Sequence, residues 1–199
     1  MLKRLFDIGF SALALLIVAP LLLLAALWIK LDSPGPVFFR QVRVGRHGGE
    51  FRIYKFRTMR TDAEQRGPQI TVGTDARITS SGHFLRRYKL DELPQFLNVL
   101  LGDMSVVGPR PEVPRYVAMY PAGQRETVLR VRPGITDIAS LEYKDENDLL
   151  GRSDDPERTY VEQVMPAKLA LCERYVLERS FLGDLRIIAR TLGVFLPRH

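Results

Sequence analysis

An uncharged apolar run near the start of the chain constrains the fold more than any other feature. From Ile8 to Ile29 the sequence reads IGFSALALLIVAPLLLLAALWI, with no charged residue and one proline, Pro20. A helix of about 20 apolar residues is about 30 Å long, which matches the hydrocarbon core of a bilayer. The run is too long for the apolar part of a secretory signal peptide, and no small-residue cleavage pattern follows it. We therefore predict a membrane helix over residues 1–30, followed by a second domain over 31–199.

Pro20 and the flanking charges bear on the path of this helix through the membrane. Proline removes an amide donor and crowds the preceding turn, so we expect a kink at Pro20. Basic residues flank the run on both sides, with Lys3 and Arg4 before it and Lys30 after it. A spanning helix normally has an asymmetry of basic residues, whereas basic residues at both ends suit a bent helix that returns to the same face. These residues alone leave a spanning and a re-entrant helix open, because spanning helices also tolerate proline.

The rest of the chain has the pattern of a compact, mainly helical α+β domain. Apolar and polar residues alternate on both sides of Arg46–Gly49, which predicts a β-hairpin that pairs Val37–Val44 with Glu50–Phe56. Apolar residues at helical spacing predict four further helices, near residues 84–88 and 91–101 and over Pro166–Arg179 and Asp184–Phe195.

The two C-terminal helices carry apolar residues on one side and arginines among the polar positions. Either a core-facing helix pair or an amphipathic surface on anionic lipid fits this pattern. The formal net charge of +6 also indicates an anionic partner, which is nucleic acid, lipid or a phosphorylated substrate. We expect no nucleic-acid partner, because the chain has an apolar anchor and no helix-turn-helix, zinc-finger or RNP motif.

Two adjacent carboxylates, Asp91 and Glu92, are the candidate catalytic residues. Pro94 is tolerated only in the first turn of a helix, so the next helix should begin near Asp91, with Asp91 as its N-cap. That capping role alone explains the pair, since acidic residues are common at helix N-termini. In a chemical interpretation, neighbours on one turn cannot bracket a sugar as glycosidase carboxylates do. They could instead divide the work on phosphorus, one as nucleophile and the other as a ligand of Mg²⁺.

Basic residues near this pair are candidates for binding phosphate oxygens. Phosphoryl transfer needs cations on the non-bridging oxygens, and arginine suits them because it donates two hydrogen bonds at once. The candidates are Lys55, Arg57, Arg86, Arg110 and Arg132. No P-loop signature is present. The alternative is a membrane-anchored basic scaffold or interaction protein without catalysis, which explains the anchor but not the ordered Arg-Asp-Glu-Pro-Arg-Pro series.

Four segments together resemble the signatures of one enzyme family. They are GPVFFRQVRVG (35–45), KFRTM (55–59), LRRYKLDELPQFLNVLLGDMSVVGPRPE (85–112) and RPGIT (132–136). In this order they resemble the bacterial polyprenyl-phosphate sugar-1-phosphate transferases in their small form, the monotopic phosphoglycosyl transferases. The resemblance implies a re-entrant helix with both ends cytoplasmic, and a Mg²⁺-dependent site on the cytoplasmic face of the bacterial inner membrane.

The resemblance also implies a reaction, which is the first membrane step in the assembly of a glycoconjugate such as an exopolysaccharide. A sugar-1-phosphate passes from a nucleotide diphosphate sugar, usually UDP-linked, to undecaprenyl phosphate, and the nucleoside monophosphate is released. By position, Asp91 matches the nucleophile that forms a covalent phosphosugar-aspartyl intermediate, and Glu92 matches the Mg²⁺ partner. The other matches fall in basic and nucleotide-side motifs, at Lys55, Arg86, Pro109, Arg110, Pro111 and Arg132.

One position departs from the family pattern. The family usually has serine just before the helix-breaking proline, where its hydroxyl can bind backbone groups freed by the break. Here that position is Ala19, so a kink must rest on Pro20 and its neighbours. No motif specifies the sugar, the pathway or the oligomeric state.

Overall fold

A computed structural model of the chain describes residues 1–63 and 75–195, without the side chains of 194 and 195. The helices α1 to α10 are, in chain order, Leu2–Asp32, Ser80–Arg87, Gln95–Leu101, Pro114–Val117, Ala122–Val128, Ile138–Glu142, Glu146–Gly151, Pro156–Thr159, Met165–Glu178 and Phe181–Phe195. The strands β1 to β4 are Phe38–Val44, Glu50–Phe56, Ser105–Val107 and Gly134–Thr136. The mainly helical class with a little β-structure is therefore confirmed.

Helix α1 contains the whole apolar run and continues as one helix through Pro20. Its leucines and alanines are good helix formers, and they sustain the helix where proline removes one hydrogen bond. The helix ends at Asp32, two residues beyond the predicted boundary, and Ser33 takes an extended conformation. The predicted apolar helix is confirmed, and it is long and apolar enough to cross a membrane. A kink at Pro20 stays a prediction.

The N-terminal end of α1 is held to the rest of the protein by its charged residues. Lys3 pairs with Asp184 of α10 at 2.5 Å. Arg4 donates from Nη1 to the carbonyl oxygen of Val99 at 2.6 Å, which satisfies the C-terminal end of α3. The buried carboxylate of Asp7 accepts hydrogen bonds from β3, at 2.8 Å from a hydroxyl and 3.1 Å from a backbone amide.

The C-terminal end of α1 contacts the same domain through different elements. Ile29 packs with Phe56 of β2 and Leu85 of α2. The carboxylate of Asp32 accepts hydrogen bonds from the backbone amide and the hydroxyl of Ser81, at 2.9 and 2.7 Å. Between the two ends, the large apolar side chains of α1 are exposed, namely Leu13, Leu16, Ile17, Leu21, Leu23 and Leu24.

The predicted hairpin is confirmed, although β1 begins one residue later than expected. Strands β1 and β2 pair antiparallel, with Phe38 opposite Phe56. His47 and Gly48 make the turn with positive φ values of 59° and 80°. Helix α3 is fixed against β2 by Asn98, whose amide accepts from the backbone of Tyr54 at 2.8 Å and also donates to that strand. The hairpin therefore sets the position of the helix that follows the carboxylate pair.

A small parallel sheet of β3 and β4 was not predicted. At its edge Gly108 and Gly134 touch so closely that a Cβ on Gly134 would lie 2.1 Å from the amide nitrogen of Gly108. Only glycine permits this approach of two backbones. The amide of Gly134 donates to the carbonyl of Pro109 at 2.9 Å. The contact brings the segment Pro109–Pro111 beside Arg132 and its neighbours.

The two C-terminal helices, α9 and α10, are confirmed with one correction. Gly183 lies inside α10 rather than between the helices, because Ser180 begins the helix and its hydroxyl accepts from the amide of Gly183 at 3.1 Å. Both helices turn one side to the core through buried residues such as Leu169 and Ile187. On other sides they expose four leucines, Leu177, Leu182, Leu185 and Leu192. Both interpretations of their amphipathic pattern therefore remain compatible with the fold.

Candidate active site

The two adjacent carboxylates lie on a 3-10 turn, Leu90–Glu92, just before α3. The prediction that Asp91 caps the following helix is wrong, since α3 begins at Gln95 and no described side chain caps it. A cap at Asp91 would accept from the amide of Leu93 or of Pro94; the amide of Leu93 donates to the carbonyl of Leu90 at 3.3 Å, and proline has no amide hydrogen. The carboxylate pair is therefore not used to complete a helix.

Glu92 is held between two cations from different parts of the chain. Lys55 Nζ lies 2.8 Å from Oε1, and Arg110 donates from Nη1 to Oε2 at 3.0 Å and from Nη2 to Oε1. Burial raises the pKa of Glu92, but Arg110 and Lys55 outweigh it and lower that pKa well below its ordinary value. Glu92 is therefore ionised, and its charge raises the pKa of Arg110 in turn.

Arg110 is presented by a backbone segment that is fixed on both sides. The carbonyl of Pro109 accepts from the amide of Gly134 at 2.9 Å. The carbonyl of Pro111 accepts from Nη1 of Arg43 at 3.0 Å. Since prolines also restrict the backbone on either side, the guanidinium of Arg110 reaches Glu92 from a rigid loop. This segment was predicted on the nucleotide side of the site.

Asp91 has a different environment from its neighbour. It is largely buried, and its Oδ1 atom has no hydrogen-bond partner among the described residues. Burial and the charge of Glu92 raise the pKa of Asp91, while Lys55, Arg86 and Lys89 lower it by a smaller amount. Glu92 is thus neutralised by direct ion pairs. Asp91 has positive charges nearby but forms no ion pair with a described residue.

Three of the five predicted cations are brought to the pair. Lys55 and Arg110 contact Glu92 directly. Arg86 donates from Nε to the hydroxyl of Thr58 at 2.9 Å. Burial lowers the pKa of Arg86, and the negative charge of Asp91 opposes that shift. Arg86 is therefore close enough to Asp91 to interact with its charge. The combination of paired acids with buried cations is typical of an active site.

The pair also offers a donor set for one hard cation. In the part of the chain that the structure describes, no group of three His, Cys, Asp or Glu side chains could hold a metal. Mg²⁺ often takes only one or two carboxylates and completes its ligands with substrate phosphates and water. Among the described residues, Oε2 of Glu92 accepts a hydrogen bond from Arg110 alone, so this oxygen keeps a free lone pair. The residues present therefore fit Mg²⁺ bound together with a diphosphate.

Comparison with known proteins decides the family. The family model described as bacterial sugar transferase matches residues 1–198 of the 199-residue chain. The chain belongs to the bacterial sugar transferase family. This confirms the family resemblance inferred from the motifs.

Characterised members of this family are similar along most of the chain. The exopolysaccharide production protein PSS of Rhizobium leguminosarum bv. phaseoli is 44% identical over 99% of the chain and 96% of the relative. A UDP-glucose:undecaprenyl-phosphate glucose-1-phosphate transferase of Caulobacter vibrioides is 41% identical over 98% of the chain and 69% of the relative. The Escherichia coli (strain K12) protein of the same name is 39% identical, and the aligned region is only 39% of its length.

Two of the predicted phosphate-binding residues of this sugar transferase lie elsewhere. Arg57, only 4% exposed, donates to Ser33 at 2.7 Å, to Ile29 at 3.4 Å and to a third carbonyl, at the end of α1. Arg132 donates from Nε to the carbonyl of Gly102 at 2.7 Å, at the end of α3. Both guanidiniums thus complete helix C-termini, where cations are favourable. Substrate contact by either residue gains no support from these bonds.

Four further residues support the site and were not singled out from the sequence. Arg43 and Glu112 form an ion pair at 3.7 Å beside Arg110, and Tyr160 donates to Glu112 at 2.8 Å. The buried carboxylate of Asp137 accepts from the backbone amide of Arg110 at 3.2 Å. Arg43 and Glu112 belong to motifs that carried the family resemblance, so their position was available as a signal. Asp137 had none beyond its place just after RPGIT.

Proposed function

We propose that this bacterial sugar transferase moves a sugar-1-phosphate from a UDP-linked sugar to undecaprenyl phosphate through an intermediate on Asp91, and that UMP is released. The general reaction is supported by the relatives from Caulobacter vibrioides and Escherichia coli, which are named UDP-glucose:undecaprenyl-phosphate glucose-1-phosphate transferases. The observation that carries the chemical assignment is the contrast between the two carboxylates. Glu92 forms ion pairs with Lys55 and Arg110, whereas Asp91 forms no ion pair with any described residue.

This contrast suits Asp91 to the role of nucleophile. A carboxylate oxygen that makes no hydrogen bond keeps its lone pairs available and loses no solvation when it attacks. Lys55 and Arg86 lie close enough to influence the charge of Asp91, and they would draw a negatively charged diphosphate towards it. Glu92 could not attack without first breaking two ion pairs. The neighbour with strong cation contacts is therefore the binding residue, and the other is the reacting residue.

The reaction balances as two displacements at one phosphorus. An Asp91 oxygen attacks the phosphorus that carries the sugar, and the bond to the bridging oxygen breaks, so that this oxygen leaves with UMP. An oxygen of undecaprenyl phosphate then attacks the same phosphorus, and the bond to Asp91 breaks. The carboxylate is regenerated, and the product is a sugar linked to the lipid by a diphosphate. Covalent catalysis of this kind divides one difficult transfer into two easier steps.

Glu92 would hold Mg²⁺ at the diphosphate. When bound, the ion would supply positive charge that offsets the negative charge developing on the leaving nucleotide. Arg110 keeps Glu92 ionised and oriented, and Lys55 limits the negative charge of the pair before substrate enters. Arg110 also extends from the predicted nucleotide-side segment, so one guanidinium links the carboxylate to the place where the nucleotide is expected.

A re-entrant course of α1 is part of the proposal. Lys3, Arg4 and Asp7 at one end and Ile29 and Asp32 at the other all contact the same domain. Because these contacts include buried charges, both ends should lie on one side of the membrane, and the exposed apolar middle should enter the lipid. Nucleotide sugars are cytoplasmic, so we place the domain on the cytoplasmic face of the inner membrane, with the exposed leucines of α9 and α10 towards anionic lipid.

Nucleotide release with lipid acceptor tests the activity. The purified protein is incubated with undecaprenyl phosphate, Mg²⁺ and each member of a panel of UDP-sugars, and UMP and the lipid-linked product are measured. We expect UMP and product in equal amounts for one sugar or a small group of sugars. A folded protein that releases no UMP from any member of the panel would contradict the proposal and favour a scaffold role.

A further inference from the structure

Gln95, the first residue of α3, is a buried polar residue without a partner. The residue is 1% exposed, and neither Nε2 nor Oε1 has a hydrogen-bond partner within residues 1–63 and 75–195. An unsatisfied buried amide lowers stability, so such groups are rare unless a function retains them. A methionine of similar shape would fill this place without that cost. The amide therefore calls for an explanation beyond packing.

Gln95 begins α3, three residues after Glu92 and four residues after Asp91. Glu92, Gln95 and Asn98 follow one another at three-residue spacing, so they lie along one side of the helical segment. Glu92 contacts Lys55 of β2, and Asn98 donates to the carbonyl of Arg52 of the same strand at 3.0 Å. Helix α3 thus runs along β2. Along the chain, Gln95 lies between Glu92, which pairs with Lys55, and Asn98, which binds the backbone of β2.

Asp91 and Gln95 have complementary unsatisfied atoms about one helical turn apart. Asp91 Oδ1 is a buried acceptor, and Gln95 Nε2 is a buried donor. A water between them could accept from Nε2 and donate to Oδ1, and a buried water needs two or more such polar partners. We propose that Gln95 is a positioning residue that holds the Asp91 carboxylate through one bound water. The inference rests on the proposed function, because it assumes that Asp91 is the nucleophile.

This arrangement would fix the direction of attack. With Oδ1 of Asp91 hydrogen-bonded to the water on Gln95, rotation of the carboxylate is restricted and Oδ2 is presented to the phosphorus. The nucleophile would then need no direct ion pair to be ordered, which keeps it reactive. Removing a group that orients a reacting residue typically costs about 10–100-fold in activity. The loss should appear in the rate of the chemical step, since Gln95 is too buried to touch the substrate.

The test is Gln95→Met, which keeps the length of the side chain and removes the amide. Enzyme and radiolabelled UDP-sugar are mixed with Mg²⁺ in the absence of lipid, and the rate at which protein becomes labelled is measured against sugar concentration. We expect a maximal rate about 10–100-fold lower, with the half-saturating concentration within about twofold of the wild-type value. Tm should change little, because the variant leaves Asp91 Oδ1 without its donor but also removes the unpaired Oε1 of Gln95. A purely structural glutamine would not give this combination.

Val99→Ala is the matched control, since Val99 is fully buried on the same helix. It should lower Tm through a cavity and leave the labelling rate within about twofold. A Gln95→Met protein that labels at the wild-type rate would overturn the role of Gln95 while leaving the proposed function intact. Wild-type protein that transfers no sugar phosphate would remove the function itself. If Gln95→Met does not fold, a crystal structure of the wild type decides, by the presence or absence of a water that bridges Asp91 and Gln95.

Discussion

Nζ of Lys55 lies 2.8 Å from Oε1 of Glu92, which joins the end of β2 to the turn that carries the carboxylate pair. The two residues are 37 positions apart in the chain, and neither side chain is more than 17% exposed. The pair is partly withdrawn from water, so removing either partner would leave a buried charge. This ion pair also distinguishes the two acids, because the adjacent Asp91 forms no such bond with a described residue.

Asp91→Asn should abolish transfer without loss of the fold. The carboxamide has the same shape but cannot attack phosphorus, so we expect UMP release to fall by about a thousandfold or more. Burial and Glu92 raise the pKa of Asp91, so the ionised form of this group destabilises the folded state, and that cost is present at pH values above the raised pKa. Tm of the variant should therefore be equal to or higher than that of the wild type. Near-normal turnover by the folded variant would exclude the covalent route.

Glu92→Gln should weaken Mg²⁺ binding rather than remove activity at all Mg²⁺ concentrations. The amide keeps one oxygen but loses the charge, so the Mg²⁺ concentration for half-maximal activity should rise by about tenfold or more. Tm should also fall, since Lys55 and Arg110 then face a neutral group. Titration of activity with Mg²⁺ measures the first effect. If added Mg²⁺ restores nothing, Glu92 has another role.

Local patterns were sufficient to predict the apolar helix and the hairpin. Strands β1 and β2 are adjacent in the chain, and their alternation and turn are read directly from the sequence. The β3–β4 sheet could not be predicted, because each strand has three residues and their pairing depends on the contact of Gly108 with Gly134. That contact is set by tertiary structure, and it is the one that places Arg110 in the site.

The partners of the candidate site residues were harder to predict than their chemical types. Lys55 and Arg110 reach the carboxylates, whereas Arg57 and Arg132 bind backbone carbonyls at helix ends. A guanidinium has the same donors in both places, and nothing in the sequence distinguishes a phosphate partner from a carbonyl partner. The contacts formed in the folded chain separate them, because Lys55 and Arg110 lie beside Glu92 and the other two lie at helix ends.

Arg57→Lys should therefore affect stability more than substrate binding. Lysine has a single ammonium group and cannot reproduce donation to three carbonyls at the end of α1. We expect a fall in Tm, while KM for the UDP-sugar stays within about twofold at a temperature where the variant is folded. Arg86→Lys is the comparison, because Arg86 lies beside Asp91 and its loss should change the transfer rate. A large increase in KM for Arg57→Lys would instead support the predicted substrate contact.

A covalent intermediate predicts that nucleotide release does not wait for the lipid. Enzyme with labelled UDP-sugar and Mg²⁺ alone should release about one UMP per active site and retain label on the protein. With both substrates, double-reciprocal plots should be parallel, as expected for ping-pong kinetics. Asp91→Asn should remove the label. Intersecting lines with unlabelled protein would point to a single displacement in which Asp91 only assists the lipid phosphate.

The course of α1 can be tested with a reporter cysteine at residue 2 in a protein that lacks Cys172. The contacts of Lys3, Arg4 and Asp7 with the domain should keep the N-terminus inside, so an impermeant reagent should not label it in intact cells. Pro20→Leu restores the amide and favours a straight helix of spanning length. Part of the population should then become labelled. Adding Asp7→Ala to Pro20→Leu should increase the labelled fraction, because the N-terminal end of α1 then loses its two hydrogen bonds to β3.

Leu24→Val is the matched control for the Pro20 variant, since it changes an exposed apolar residue of α1 and leaves the backbone amide unaltered. It should remain unlabelled, like the parent protein. The flipped fraction should also lose transfer activity, because its N-terminal charges can no longer hold α3 and β3 in place. Labelling of the parent N-terminus from outside would show that α1 spans the membrane. In that case the bonds of Lys3 and Arg4 to the domain could not form in the cell, and the re-entrant proposal would fail.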